Sequence, residues 1–177
     1  MSADSVVGKI NQALYFARLH CDNARALSEP ASKDTSKSEA SSSARFLRQQ
    51  QQCYLEASVE CLYRAAFFLA LQLMDEGELR KQLKQNPEIL VASLKTYLQA
   101  TPSPEINKML QAFEDSNALG FLLESRRSIW ADKNTALASP ASEIKLLDLS
   151  LSADSCELWM QLIANMLTEF QHSNTEL

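Results

Sequence analysis

The sequence predicts an all-α protein, an up-and-down bundle of five to six helices forming a single domain over residues 1–177. Three observations carry that expectation. The chain has only three glycines in 177 residues, where average usage would give roughly twelve. Apolar side chains recur at three- and four-residue steps along most of its length. No segment alternates apolar and polar residues for long enough to make a useful strand, and no internal repeat of fixed period is evident.

A first helix is expected over residues 4–28. Val7, Ile10, Leu14, Ala17, Cys21 and Ala24 line one of its faces. Several of these side chains are small, so a second helix can come close along this seam. Pro30 closes the segment. Residues 28–43 then hold seven serines and few apolar side chains, and the stretch at about 29–42 reads as a flexible loop.

The second and longest helix is expected from Ser42 or Ser43 to about Met74, with Leu55, Ser58, Leu62, Ala65 and Leu69 on its inner stripe. From Ala65 onward it is apolar almost all round and needs cover on every side. The segment 65–74, from Ala65 to Met74, therefore lies at the centre of the bundle or against a second copy of the chain. Gly77, after Asp75 and Glu76, suits a C-terminal cap.

Asn86-Pro87-Glu88 and Ser103-Pro104-Glu105 each read as a helix start, a capping side chain followed by proline in the first turn. The helices they open carry Leu90, Leu94, Tyr97 and Leu98, and then Ile106, Met109, Leu110 and Phe113. Phe113 to Leu119 is a step that a single stripe cannot make, which predicts a break with a new cap at Ser116 or Asn117. A helix through Trp130 follows, a kinked continuous helix being the alternative. Residues 132–152 read as an irregular connection. The last helix starts at Ser152 or Asp154 and presents Trp159, Leu162, Ile163, Met166, Leu167 and Phe170 to the core.

The net charge is −5, and residues 140–177 carry one basic against six acidic side chains while the rest of the chain is balanced. That distribution argues against sequence-independent binding to nucleic acid or anionic lipid, which needs a clustered positive surface. The N-terminus shows neither the basic start nor the apolar run of a signal peptide. The segment 65–74, bracketed by Arg64 and Asp75, is about half the length that spans a bilayer. A cytoplasmic protein is expected, with no membrane partner. Cys21, Cys53, Cys61 and Cys156 all fall within helical apolar patterns and read as buried, reduced thiols.

The chemistries that helical bundles host find no footing in this chain. A di-iron bundle needs two Glu-x-x-His motifs, and the histidines are His20 and His172 alone. His20 and Cys21 are adjacent on a helix, about 100° apart, and cannot readily share a zinc ion. Cys-x-x-Cys-His is absent, and neither histidine follows an arginine at the spacing of helical toxin nucleases. The reading is a protein that is not an enzyme and needs no metal or cofactor.

One polar constellation stands out. Asn11, Tyr15, Arg18, Asp22 and Arg25 form a row on the first helix, and Glu56, Glu60 and Arg64 form another on the second. In an antiparallel pair the rows could meet, with Arg18 facing Glu56 or Glu60, and create a network or a small polar ligand site. The plainer reading is solvated rows with local i,i+4 pairs. Arg126-Arg127 beside Trp130 suggests an anion or nucleic-acid contact, or more simply a mixed helix surface with Glu124 and Asp132.

The segment Asn11-Gln12-Ala13-Leu14-Tyr15-Phe16-Ala17-Arg18-Leu19 resembles the opening helix of a family of small, uncharacterised proteobacterial proteins, classed as a domain of unknown function. The resemblance extends more weakly to the second helix, to Pro104 through Asn117-Ala118-Leu119-Gly120 and Trp130, and to the helix with Trp159. Members often carry tryptophan where this chain has Ala118, and the Ser-rich loop here is longer. The resemblance implies an all-helical bacterial protein and carries no activity. Two functional expectations follow. The first is a non-enzymatic bundle acting through protein–protein association with another protein or with itself, as a homodimer through the region from Ala65 to Met74. The alternative is a small-ligand or nucleotide-linked regulatory bundle using the polar face between the first two helices.

Overall fold

The computed structural model describes residues 3–28, 37–75, 77–136 and 151–173. Among them run seven α-helices and no strand: α1 (Ala3–Ala26), α2 (Lys37–Leu73), α3 (Glu78–Gln85), α4 (Leu90–Ala100), α5 (Pro104–Glu114), α6 (Leu119–Ala136) and α7 (Ala153–Ser173), with a 3-10 turn at Pro87–Ile89 before α4. The all-α expectation holds, with seven helices among the described residues against the five to six expected.

The α1–α2 pair is built on small side chains. Ala17, Cys21 and Ala24 on α1 and Ser58, Ala65, Ala66 and Ala70 on α2 are fully buried. The pair is antiparallel: Lys9 lies over the Phe68 ring, Ser58 meets Ala17, and Gln51 reaches Ser28. Ser58 Oγ donates to the Ala17 carbonyl at 3.1 Å, a side chain of one helix bonding the backbone of the next. Larger residues on this seam would hold the helices too far apart for that bond. The stripe read from the sequence shifts by one position in two places, where Val6 and Ala13 are buried and Val7 and Leu14 are half-covered.

α2 forms the wall the other helices share. It packs against α1, α4, α5, α6 and α7. Ala65, Ala66, Leu69, Ala70, Leu71 and Met74 are buried within this one chain, and Phe67, Phe68 and Leu73 are half-covered. The all-round apolar segment is thus largely covered by its own chain.

Element boundaries departed from expectation where polar residues dominate. α2 begins at Lys37, so part of the expected Ser-rich loop is helical, while residues 29–36 lie outside the described residues. Serine tolerates a helix when neighbouring residues propagate it. Gly77 does not cap α2: its extended backbone precedes α3 as the N-cap. α2 ends instead on Arg80, whose Nη1 donates to the Met74 carbonyl at 3.1 Å, and on Tyr97, whose hydroxyl donates to Asp75 Oδ2 at 2.8 Å. α3 itself was not anticipated, because only Leu79 and Leu83 give its eight residues an apolar side. α6 continues past Trp130 to Ala136, and residues 137–150 of the expected connection lie outside the described residues.

The helix starts with clear capping residues form as expected. Ser103 Oγ accepts from the Ile106 amide at 3.3 Å, Asn86 Oδ1 from Glu88 at 3.2 Å, and Ser152 Oγ from Ser155 at 3.1 Å. The break between α5 and α6 is real but is organised by Asp115 rather than Ser116 or Asn117. Its carboxylate accepts the Asn117 amide at 2.8 Å, and its carbonyl accepts those of Ala118 and Gly120 at 3.0 and 3.1 Å. Trp159 of α7, 1% exposed, seals this turn by donating from Nε1 to the Ala118 carbonyl at 3.0 Å.

Gly120 sits where the turn is tightest. A Cβ there would lie 2.5 Å from the Asp115 carbonyl oxygen and 2.9 Å from that of Phe113. Both are backbone atoms and cannot swing aside. Gly120→Ala is therefore expected to destabilise the fold by about 1–3 kcal/mol in urea unfolding, although alanine is the better helix former.

Candidate functional site: the α2–α6 junction and groove

Arg126 of α6 joins three elements. Its Nε donates to Glu60 Oε2 on α2 at 3.0 Å, and its Nη1 to Glu88 Oε1 in the 3-10 turn at 2.6 Å. Its guanidinium carbon lies 4.0 Å from the centroid of the Tyr63 ring. The Tyr63 hydroxyl in turn donates to the Pro87 carbonyl at 2.5 Å. A planar, delocalised fork can address two carboxylates while lying on an aromatic face, which an ammonium cannot do. The arginine side chain is 13% exposed, against 32% for Glu60 and 63% for Glu88.

The electrostatics follow from that enclosure. Burial opposes the Arg126 charge, but the hydrogen bonds to Glu88 and Glu60 outweigh it, and its pKa stands above the ordinary arginine value. Burial likewise pushes the Tyr63 phenol up to about 12; the Arg126 charge opposes this and the two carboxylates add to it.

Beside this junction α2 and α6 leave a groove of about 280 Å³. Ala57, Val59 and Ile129 supply apolar walls, Glu56 and Glu60 an acidic side, and Trp130, 49% exposed, a large aromatic. The helices run antiparallel here, so Glu60 meets Arg126 while Cys53 and Glu56 lie toward Trp130.

The two polar rows read from the sequence do not converge. Asn11, Tyr15, Arg18 and Asp22 are exposed on α1, and Arg64 is exposed on α2. Among the described residues no ion pair joins Arg18 to Glu56 or Glu60. Glu60 turns to Arg126, with Arg64 Nε at 3.8 Å from its other oxygen, and Glu56 accepts from Gln52 at 3.4 Å. Arg25 leaves its row for α7, pairing with Asp154 at 3.0 Å and with Glu157. The second row therefore contributes Glu56 and Glu60 to a groove, and the first row contributes nothing to it. Tyr15 belongs instead to an exposed aromatic and apolar stripe with Phe16 and Leu19.

Other expectations need correction. Arg126 faces inward, and only Arg127 of that pair stays on the surface. Cys53 is exposed and Cys61 half-buried, so only Cys21 and Cys156 are the enclosed thiols expected of all four. Sequence reasoning missed Tyr63 and Glu88 as partners of Arg126. Glu88 was visible as the acid of a helix start, but periodicity within one helix says nothing about which helix will face it.

Among the described residues, no three His, Cys, Asp or Glu side chains converge in a way that could hold a metal ion, and no helix is long and apolar enough to cross a membrane. No protein-family model matches the chain, and neither a curated protein nor a solved structure matches it.

Removing the guanidinium leaves half-buried Glu60 with only its long contact to Arg64 Nε, at 3.8 Å. Arg126→Ala is expected to cost about 2–3 kcal/mol in urea unfolding, with Arg126→Lys recovering only part. Arg18→Ala, at a solvated position, should change stability by less than about 0.5 kcal/mol. For Tyr63 the folded chain keeps its proton above the ordinary tyrosine pKa of about 10, where the unfolded chain loses it. Stability from this group is complete below pH 10 and falls as the pH rises to about 12. Tyr63→Phe should flatten that alkaline decline, read as the unfolding midpoint against pH.

Proposed function

We propose that the protein is a non-enzymatic binding bundle that associates with another protein through the α2–α6 groove. The observation that carries this reading is Trp130, half-exposed beside Ile129, Val59 and Ala57 with Glu56 and Glu60 alongside. Protein interfaces are built this way, around an aromatic anchor with an apolar floor and a charged margin. The acidic side favours a partner helix that presents an apolar side chain next to a lysine or arginine.

The Arg126 junction gives the groove a rigid base, and rigid anchors lose less entropy on binding. The small-ligand alternative has weaker support, since its cavity would be lined by both polar rows and the groove takes residues from one. A second copy of the chain remains one candidate partner. Its docking surface would be this groove or the Tyr15–Phe16–Leu19 stripe, not the region from Ala65 to Met74.

Affinity capture from the native host with wild type, Trp130→Ala and Glu56→Lys tests the reading. A captured protein should be lost with both variants, its affinity falling roughly thirty-fold or more for the tryptophan change, while circular dichroism and the unfolding midpoint stay near wild type. An identical set of captured proteins for all three chains would overturn it. Light scattering identifies self-association, by a mass of twice 19.8 kDa that returns to the single-chain value in Trp130→Ala.

A further inference from the structure

α1, α2 and α3 border a second pocket, of about 250 Å³. Its apolar lining is Phe67, Phe68 and Leu71 of α2 with Val6 of α1. Lys9 of α1 and Arg80 and Lys84 of α3 complete it, and among the described residues that line it none is acidic. The chain as a whole carries a net charge of −5, so three cations from two helices around one apolar pocket reverse the prevailing sign. The pocket shares no residue with the α2–α6 groove, which carries Glu56 and Glu60.

The helices that carry these cations also position them. Arg80 and Lys84 stand one turn apart on the same face of α3, and buried Leu83 holds that helix against the bundle. Arg80 Nη1 donates to the Met74 carbonyl at 3.1 Å. That bond uses one of the five guanidinium N–H donors and orients the group at the end of α2. Lys9 Nζ lies 5.4 Å from the centroid of the Phe68 ring, so a charge and an aromatic face are offered together. Phe67 and Phe68 meet edge to face with 5.6 Å between centroids, and both are only half-covered. An apolar group seated on them removes that remaining surface from water.

We propose that this pocket binds a small aromatic carboxylate, its ring against Phe67, Phe68 and Leu71 and its carboxylate among Lys9, Arg80 and Lys84. The size fits that class. An apolar cavity of about 150 Å³ holds benzene, so about 250 Å³ has room for one or two fused rings and the charged head. Drug-sized ligands need cavities of about 300 Å³ or more. An aromatic body is favoured over an alkyl chain because a third ring extends the edge-to-face contact that the two phenylalanines already make. The ammonium and guanidinium groups give charge-assisted hydrogen bonds to the carboxylate oxygens. Both halves of the ligand are needed: a bare carboxylate gains no apolar burial, and an uncharged ring makes no use of the cations. Binding here is independent of the partner association proposed for the α2–α6 groove.

The test titrates the full chain with 2-naphthoate and, separately, with the uncharged 2-naphthamide, following assigned backbone amide signals by NMR. Naphthoate should saturate, shifting residues 6–10, 67–71 and 80–84, and should bind at least about tenfold more tightly than the amide. Lys84 is exposed, so Lys84→Glu should keep the wild-type unfolding midpoint while weakening naphthoate about tenfold and leaving naphthamide unchanged. Added salt should weaken naphthoate and not the amide. Trp130→Ala should bind naphthoate as wild type does. Equal affinity for the two probes would overturn the proposal, as would no saturation up to roughly 10 mM. So would shifts centred on Trp130 and residues 53–60, or naphthoate affinity undiminished in Lys84→Glu. The comparison of the two probes uses the native chain, so it decides the matter even if the variant does not fold.

Discussion

Close contact between α1 and α2 is the constraint on which the rest of the architecture depends. Ala17, Cys21 and Ala24 face Ser58, Ala65 and Ala66 in the core, and the Ser58–Ala17 hydrogen bond crosses the seam at 3.1 Å. Small side chains contribute little apolar area each, so the pair gains its stability from dense contact along many turns. That closeness also determines what α7 meets. The Ala153 carbonyl at the start of α7 comes within 3.9 Å of Cys21 Sγ because no bulky side chain occupies that space.

α2 then acts as a scaffold with two functional consequences. Its apolar second half is covered in large part by α1 and by the helices that follow. Its polar edge, bearing Glu56 and Glu60, receives α6. The contact there is electrostatic as well as apolar: a single guanidinium, 13% exposed, is satisfied by two carboxylates and an aromatic ring. A partly buried charge needs complete partnering of this kind. The result is a rigid junction adjoining a shallow apolar groove.

The connection between α5 and α6 shows the same economy at the backbone level. Asp115 supplies both its carboxylate and its carbonyl to the amides of the turn, Gly120 leaves room for the two carbonyls, and Trp159 closes it from α7. Three residues, from the turn, α6 and α7, solve one problem, which is how to break a helix at the edge of the core without leaving its polar backbone groups unpaired.

The sequence by itself determined that this protein is helical, where its capped helices start, and most of the apolar side chains that face inward. Ser103, Asn86 and Ser152 cap as their types dictate, and Leu62, Phe113 and Trp159 are buried as their spacing requires. These are local matters, settled by side-chain chemistry and the 3.6-residue period within a single helix. Tertiary structure alone decided which polar rows would meet. Arg18 and Glu60 both lay on well-marked faces, yet Glu60 found Arg126, sixty-six residues away, and Arg25 found α7. Helix periodicity gives each face an angle about its own axis and carries no information on the neighbour opposite. Only the packed bundle, driven by burial of every apolar stripe at once, assigns those partners.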